Sequence, residues 1–349
     1  MISAKLITHH LNFKVPAGTS RGILTQKPTW FLVVKHKLTG SVGVGECSII
    51  PGLSIDDDSQ IAQKLQELVA EINAKRIPEL SQYNDYPAIK FALETALNDL
   101  AYVDSFSPYP GKFSQGKKSI PINGLVWMGT EEFMKTQIQE KIADGFNCIK
   151  LKIGAIDFET ELSLLKSIRK HFNPEQIELR VDANGAFSPD EAMRKIEALS
   201  KFNIHSIEQP IKQDQWMDMA VLCANSPIPI ALDEELIGIS DLEFKIQMLA
   251  FIRPQYIILK PSLIGGMEAS DEWINVAEKA GIGWWATSAL ESNIGLNAIA
   301  QWVSNKPTQM PQGLGTGKLF TNNIDSPLTI EQGNLVHDTN KKWNHTPFN

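Results

Sequence analysis

Two kinds of hydrophobic pattern divide this chain. In the first hundred residues, Ser3–Val15 (SAKLITHHLNFKV) and Pro28–Ser48 (PTWFLVVKHKLTGSVGVGECS) are rich in β-branched and aromatic residues. With a turn at Leu38–Ser41, they predict antiparallel strands. Apolar residues then recur at three- and four-residue spacing over Asp56–Ala74 and Tyr86–Ala101, which predicts two helices. Strands followed by helices mark an α+β module. The segment Asp104–Ser119 (DSFSPYPGKFSQGKKS), rich in Pro, Gly, Ser and Lys, reads as a linker.

From Ile120 onward, short apolar runs alternate with helical periods. Strands are predicted at Ile120–Val126, in the runs ending at Lys152, Asp182, Glu208, Asp233 and Lys260, at Trp284–Ser288 and at Gly313–Thr316. Helix punctuation lies between them. Ser188-Pro189-Asp190-Glu191 carries an N-cap serine, a proline at the first helical position and a capping-box glutamate. Ser240–Glu243 repeats the capping-box spacing, and Gly281 stands where a helix C-cap belongs. Seven or eight strands with intervening helices fit a β/α barrel better than an open doubly wound sheet, the runner-up. The expected organisation is an α+β capping domain over residues 1–115 and a barrel over 116–318. Residues 319–349 form a strand- and turn-like segment that returns to the capping domain.

A regular beat runs through the barrel region. Lys152, Asp182, Glu208, Asp233 and Lys260 each close an apolar run, at gaps of 30, 26, 25 and 27 residues. That is about one strand, one helix and two loops, so in a barrel all five reach the same mouth. Taken singly, an aspartate at a strand end is more often a turn former or cap, and a strand lysine more often a solvated one. Five together at barrel spacing argue for a site. Three convergent carboxylates suit a hard divalent cation, Mg²⁺ or Mn²⁺, with positions left for substrate oxygens. Lys150 and Lys152 share one face at period two. A free lysine, with a pKa near 10.4, is a poor base at neutral pH. A neighbouring ammonium and a divalent cation each disfavour a lysine's charged form. Lys152 is therefore assigned as base, with Lys150 beside it.

Charge and motif content narrow the alternatives. The net charge of −7 and pI near 5.6 argue against a nucleic-acid partner. Cys47, Cys148 and Cys223 lie far apart without metal-binding spacing, which predicts thiols and not a disulfide framework. The N-terminal residues lack the apolar core of a signal peptide, and no run approaches the ~18 apolar residues of a membrane span. A cytoplasmic protein without membrane association is expected. The Gly111–Lys118 run (GKFSQGKK) imitates a phosphate loop but has Lys118 where a hydroxyl residue belongs. No nucleophile elbow or zinc-binding histidine pair occurs.

With these motifs in view, the chain resembles the muconate-lactonizing-enzyme subgroup of the enolase superfamily, and within it the o-succinylbenzoate synthases, over nearly its whole length. IKLKIG looks like the second-strand lysine motif, VDANGAF the third-strand metal site, IEQPI and ALDEE the next two, and ILKPSLIGG the sixth-strand lysine motif. The resemblance implies an enolase-like (β/α)7β TIM-type barrel with an α+β capping domain. It implies Lys152 and Lys260 as catalytic lysines on opposite faces of the substrate, and Asp182, Glu208 and Asp233 as ligands of Mg²⁺ or Mn²⁺. Lys150, Asn184 and Glu234 support them, and Arg21, Ser262 and Ser288 are candidate contacts for substrate carboxylates. Ser20–Phe31 and Gly45–Ser54 resemble the two capping-domain loops. The implied activity is a carbon–oxygen lyase of menaquinone biosynthesis. It would dehydrate the small dicarboxylate 2-succinyl-6-hydroxy-2,4-cyclohexadiene-1-carboxylate through a metal-stabilised enediolate. N-succinylamino acid racemisation or dipeptide epimerisation on the same scaffold is the alternative. The sequence leaves the oligomeric state open.

Overall fold

The computed structural model describes residues 2–19, 22–56, 59–102, 106–127 and 129–348. Three strands, β1 (Ile2–Thr19), β2 (Gly22–His36) and β3 (Val42–Ser48), form an antiparallel sheet in that order. Two helices, α1 (Ile61–Asn73) and α2 (Pro87–Leu100), cover one face. The run Trp30–Val34 is apolar throughout because both faces are buried. Trp30, Leu32 and Val34 meet Leu65, Leu68, Ile89 and Leu93 of the helices. Phe31 and Val33 point the other way, toward Phe106, Ile294, Ile324 and Phe348. Gly45 lets α2 come close, since a Cβ there would lie 1.9 Å from the Ala92 carbonyl oxygen.

Two expectations shift here. α1 begins at Ile61, not Asp56, because the Asp56 carboxylate instead accepts the Ala88 N–H at the start of α2. Most of Ser20–Phe31 is strand β2 and not loop, while Arg21 lies outside the described residues.

The second half of the chain builds the barrel. Its parallel strands are β5 (Gly124–Val126), β6 (Cys148–Lys152), β7 (Glu178–Asp182), β8 (Ser206–Glu208), β9 (Ile230–Leu232), β10 (Tyr256–Leu259) and β11 (Gly283–Ala286), hydrogen-bonded in sequence order. The eighth stave is short. Parallel bridges Thr287–Gly313 and Ile122–Gln312 close the gap between β11 and the segment preceding β5. The strand expected over Gly313–Thr316 is thus confined to its first residue, and Thr316–Lys318 forms a helical turn. The run Ile120–Val126 also divides. β4 (Ile120–Pro121) turns away to pair with β13 (Asn334–His337) of the hairpin formed with β12 (Leu328–Glu331). Pro121 lacks the N–H that a continuous strand would need.

Helices α3 (Glu131–Ala143), α4 (Phe158–His171), α5 (Pro189–Ser200), α6 (Trp216–Asn225), α7 (Leu242–Ile252), α8 (Pro261–Ile264), α9 (Gly266–Lys279) and α10 (Asn293–Ser304) follow the strands. The Ser188 capping box forms at α5. At α7 the cap is Asp241 and not Ser240, its carboxylate accepting the Phe244 N–H. None of the described helices is long and apolar enough to cross a membrane.

The Pro- and Gly-rich segment before the barrel is anchored instead of forming a free linker. Phe106 and Phe113 are buried, and the Phe106 carbonyl accepts hydrogen bonds from Asn297 and Gln301. Residues 319–348 divide between the two halves. Phe320 packs against Phe13 with the rings tilted, the Thr321 N–H reaches the Asn12 carbonyl, and Phe348 meets Phe31 edge-on. The hairpin β12–β13 meanwhile joins β4.

Candidate active site

Parallel register sets the site. Lys152 lies opposite Asp182, and Asp182 opposite Glu208, on neighbouring strands. Asp233 follows the end of β9 by one residue and Lys260 follows β10 likewise. Alternation does the rest. On β6, Ile149 and Leu151 enter the apolar core, so Lys150 and Lys152 point inward. Because β6 and β10 are separated by three strands, Lys152 and Lys260 approach the centre from opposite walls.

Asp182, Glu208 and Asp233 are 1–2% exposed. The Lys150 ammonium bridges two of them, 3.2 Å from Asp182 Oδ2 and 2.8 Å from Glu208 Oε2. Lys152 donates to Asp182 Oδ2 at 3.1 Å and to Asn184 Oδ1 at 2.6 Å. Lys260 donates to Asp233 Oδ2. Burial alone would lower the Lys150 ammonium, but Glu208 and Asp182 outweigh it and hold the group well above its ordinary value. The same contest, with Asp233 and Glu234 prevailing over burial, raises Lys260. For Asp182, burial is overcome by Lys152 and Lys150, and its carboxyl stays well below the usual range. Glu208 goes the other way: burial and the Asp182 charge push it well up.

Two left-handed polar residues fix these strand ends. Asn184, at φ 45°, offers its N–H to Asp182 Oδ1 and its amide NH₂ to Glu234 Oε1. Gln209, at φ 39°, accepts the Asp233 N–H and donates to Glu235 Oε2 at 2.9 Å. Asparagine tolerates this backbone region better than most residues. Gln209, Glu235 and Glu161 were not singled out from the sequence. Glu161 on α4 accepts the Gly154 N–H at 2.7 Å, anchoring the loop after Lys152; burial pushes its carboxyl up to about 7. For Gln209 and Glu235 the available signal was position, one or two residues beyond a strand-end charge; Glu161, on α4, carries no such signal.

The cavity above this cluster is lined by Lys150, Lys152, Asp182, Asn184, Glu234 and Lys260. Its apolar walls include Ile50, Leu53, Trp127, Leu290 and Leu319. Ser288 lines it; Ser262 does not, since its hydroxyl is fully buried and donates to Glu291. That corrects Ser262 as a direct substrate contact.

Residues 134–340 match the family described as enolase C-terminal domain-like. An o-succinylbenzoate synthase of Desulfotalea psychrophila is 51% identical over 356 residues, spanning 93% of this chain and 96% of the relative. The chain belongs to the enolase superfamily. Within it, its place is the muconate-lactonizing-enzyme subgroup. The crystal structure of MenC from Desulfotalea psychrophila superposes with a TM-score of 0.85 at 46% identity, covering 96% of this chain and 99% of that one. A D-Ala-D/L-Ala epimerase of Cytophaga hutchinsonii is 29% identical over 300 residues, 83% of this chain and 80% of the relative. The L-Ala-D/L-Glu epimerase of Bacillus subtilis shares the fold, with a TM-score of 0.81 at 18% identity over 96% of this chain and 95% of that one.

Superfamily membership implies a divalent cation, and the donor set can be tested for one. Four buried carboxyl side chains (Asp182, Glu208, Asp233, Glu234) face three lysines (Lys150, Lys152, Lys260), one acid more than there are bases. Glu208 Oε1 is buried without a hydrogen-bond partner, an oxygen in want of a cation. The oxygen-only set suits Mg²⁺ or Mn²⁺. Among the described residues, no three such side chains converge tightly enough to form a cage by themselves; the lysines hold the carboxylates instead.

Proposed function

We propose that the chain is an o-succinylbenzoate synthase, dehydrating 2-succinyl-6-hydroxy-2,4-cyclohexadiene-1-carboxylate to o-succinylbenzoate in menaquinone biosynthesis in the cytoplasm. The observation that carries this reading is the pair Lys152 and Lys260, entering one cavity from opposed strands around a buried acidic cluster. Identity of 51% to a synthase along nearly the whole chain supports the choice of substrate.

Asp182, Glu208 and Asp233 would hold Mg²⁺ or Mn²⁺. When bound, the ion supplies a Lewis acid for the ring carboxylate, offsetting the charge that develops as its α-proton leaves. Lys152 takes that proton from C1, and its hydrogen bond to Asn184 aims the amine. The resulting ammonium then returns a proton to the C6 hydroxyl on the same face. The C6–O bond breaks, water departs, and the ring becomes aromatic. Lys260, held cationic by Asp233, lies against the other face and stabilises the developing charge. Lys150 keeps its proton between Asp182 and Glu208 and orients both. Ile50 and Leu53 of the capping half exclude water from above.

The test is direct. Recombinant protein with Mg²⁺ should convert the cyclohexadiene acid with the absorbance change of aromatisation. If it instead only exchanges the α-hydrogen of N-succinylamino acids or dipeptides and shows no dehydration, the lyase assignment fails and the racemase reading replaces it.

A further inference from the structure

The pocket wall formed by Ser288, Ala289 and Leu290 is held in an unfavourable shape. Leu290 has φ 64°, a region that a bulky apolar residue avoids, and its side chain lines the cavity. One carboxylate accounts for the shape. Glu291, fully buried, accepts the Ser288 hydroxyl at 2.6 Å and the Ala289 N–H at 2.9 Å on one oxygen, and the Ser262 hydroxyl on the other. The Ser288 hydroxyl in turn accepts the Leu290 N–H at 3.0 Å and the Thr316 hydroxyl at 2.8 Å. Burial lowers the ammonium of Lys27, a fully buried β2 residue that donates to Ser48, while Glu46 and Glu291 act to raise it. Glu46 itself caps α10, accepting the Ser292 and Gly295 N–H groups, both at 2.8 Å.

We propose that Glu291 is a positioning residue for the dehydration: it locks the Ser288–Leu290 wall in its left-handed turn and so presents one fixed surface to the substrate. The kinetic half of this inference rests on the function proposed above; the locking half does not. Glu291 is not among the residues that line the cavity, and its hydrogen bonds go to Ser262, Ser288 and Ala289, so its effect passes through the wall.

Two measurements on the full chain separate the halves. Amide hydrogen exchange at Leu290, whose N–H is bonded to Ser288 and not to Glu291, should quicken at least roughly tenfold in Glu291→Gln. In the dehydration assay with Mg²⁺, KM should rise roughly tenfold with kcat within about twofold of the parent. Should Glu291→Gln fail to fold, Ser262→Ala removes one donor to Glu291 from outside the cavity and should move both readouts the same way by about threefold. Unchanged Leu290 exchange overturns the lock. Faster exchange with unchanged KM leaves Glu291 merely structural and overturns the positioning role. A parent protein that shows no dehydration while Leu290 exchange still depends on Glu291 sinks the functional reading and keeps the lock.

Discussion

The Lys152 ammonium lies 2.6 Å from the side-chain oxygen of Asn184, a residue whose own backbone is left-handed at φ 45°. The strain of the turn is thus used to bring an uncharged acceptor against the amine proposed as base, while Glu234 fixes the amide from behind. Asn184→Ala should lower kcat by roughly ten- to a hundredfold, since the amine loses its aim. Alanine at that φ should also reduce stability by about 1 kcal/mol. Steady-state kinetics and thermal denaturation check both; an unaltered kcat would reduce Asn184 to a turn former.

The two lysines are expected to fail differently. Lys152→Ala should lower kcat by roughly a thousandfold or more, because both proton transfers go with it. Lys260→Ala should lower it by roughly a hundredfold, the scale of a lost electrostatic contact. Circular dichroism should report a native fold in each. Full turnover by Lys152→Ala would remove it from the chemistry.

Chelation should abolish turnover, and added Mg²⁺ should restore it. Asp233→Asn is expected to raise the half-saturating Mg²⁺ concentration by more than about tenfold. Thermal shift offers a second readout, since an ion that binds only the folded chain raises its melting temperature. A Mg²⁺ titration that superposes on the parent's would exclude Asp233 as a ligand.

Stability should depend on pH through Glu94. This α2 side chain accepts the Met267 and Glu268 N–H groups at 2.7 and 3.1 Å, capping barrel helix α9 from the capping domain. Burial pushes its carboxyl up to about 7, although those N–H groups pull the other way. A raised carboxyl holds its proton more tightly folded than unfolded. Its contribution is therefore fully present below about 4.5, the ordinary value, and is lost as pH rises through about 7. Glu94→Gln should flatten that part of the profile, by on the order of 2–3 kcal/mol between pH 4.5 and 8. Denaturant titrations of both proteins at pH 5 and 8 measure the difference, and equal slopes would refute it.

The convergence of the strand-end residues was legible because barrel topology turns spacing into proximity. Residues one βα unit apart, such as Asp182 and Glu208, must meet whatever the loops do. Short-range contests were harder to read. Asp241 and Ser240 compete for one cap, and Asp56 was claimed by a helix distant in sequence. The phenylalanines of the Pro- and Gly-rich segment found partners that composition gives no hint of. Glu161, Gln209 and Glu235 act through backbone N–H groups of other segments. Sequence periodicity carries no record of such long-range partners. Ser262 looked like a ligand contact by position alone, and only its hydroxyl's direction shows otherwise.

Among the described residues, Ile50 and Leu53 are the capping half's whole share of the cavity wall, while every ionisable group in it comes from the barrel. On the function proposed above, part of the selectivity is therefore separable from reactivity by surgery. Reshaping those two side chains should redirect which carboxylic acid is admitted without disturbing the proton-handling staves beneath.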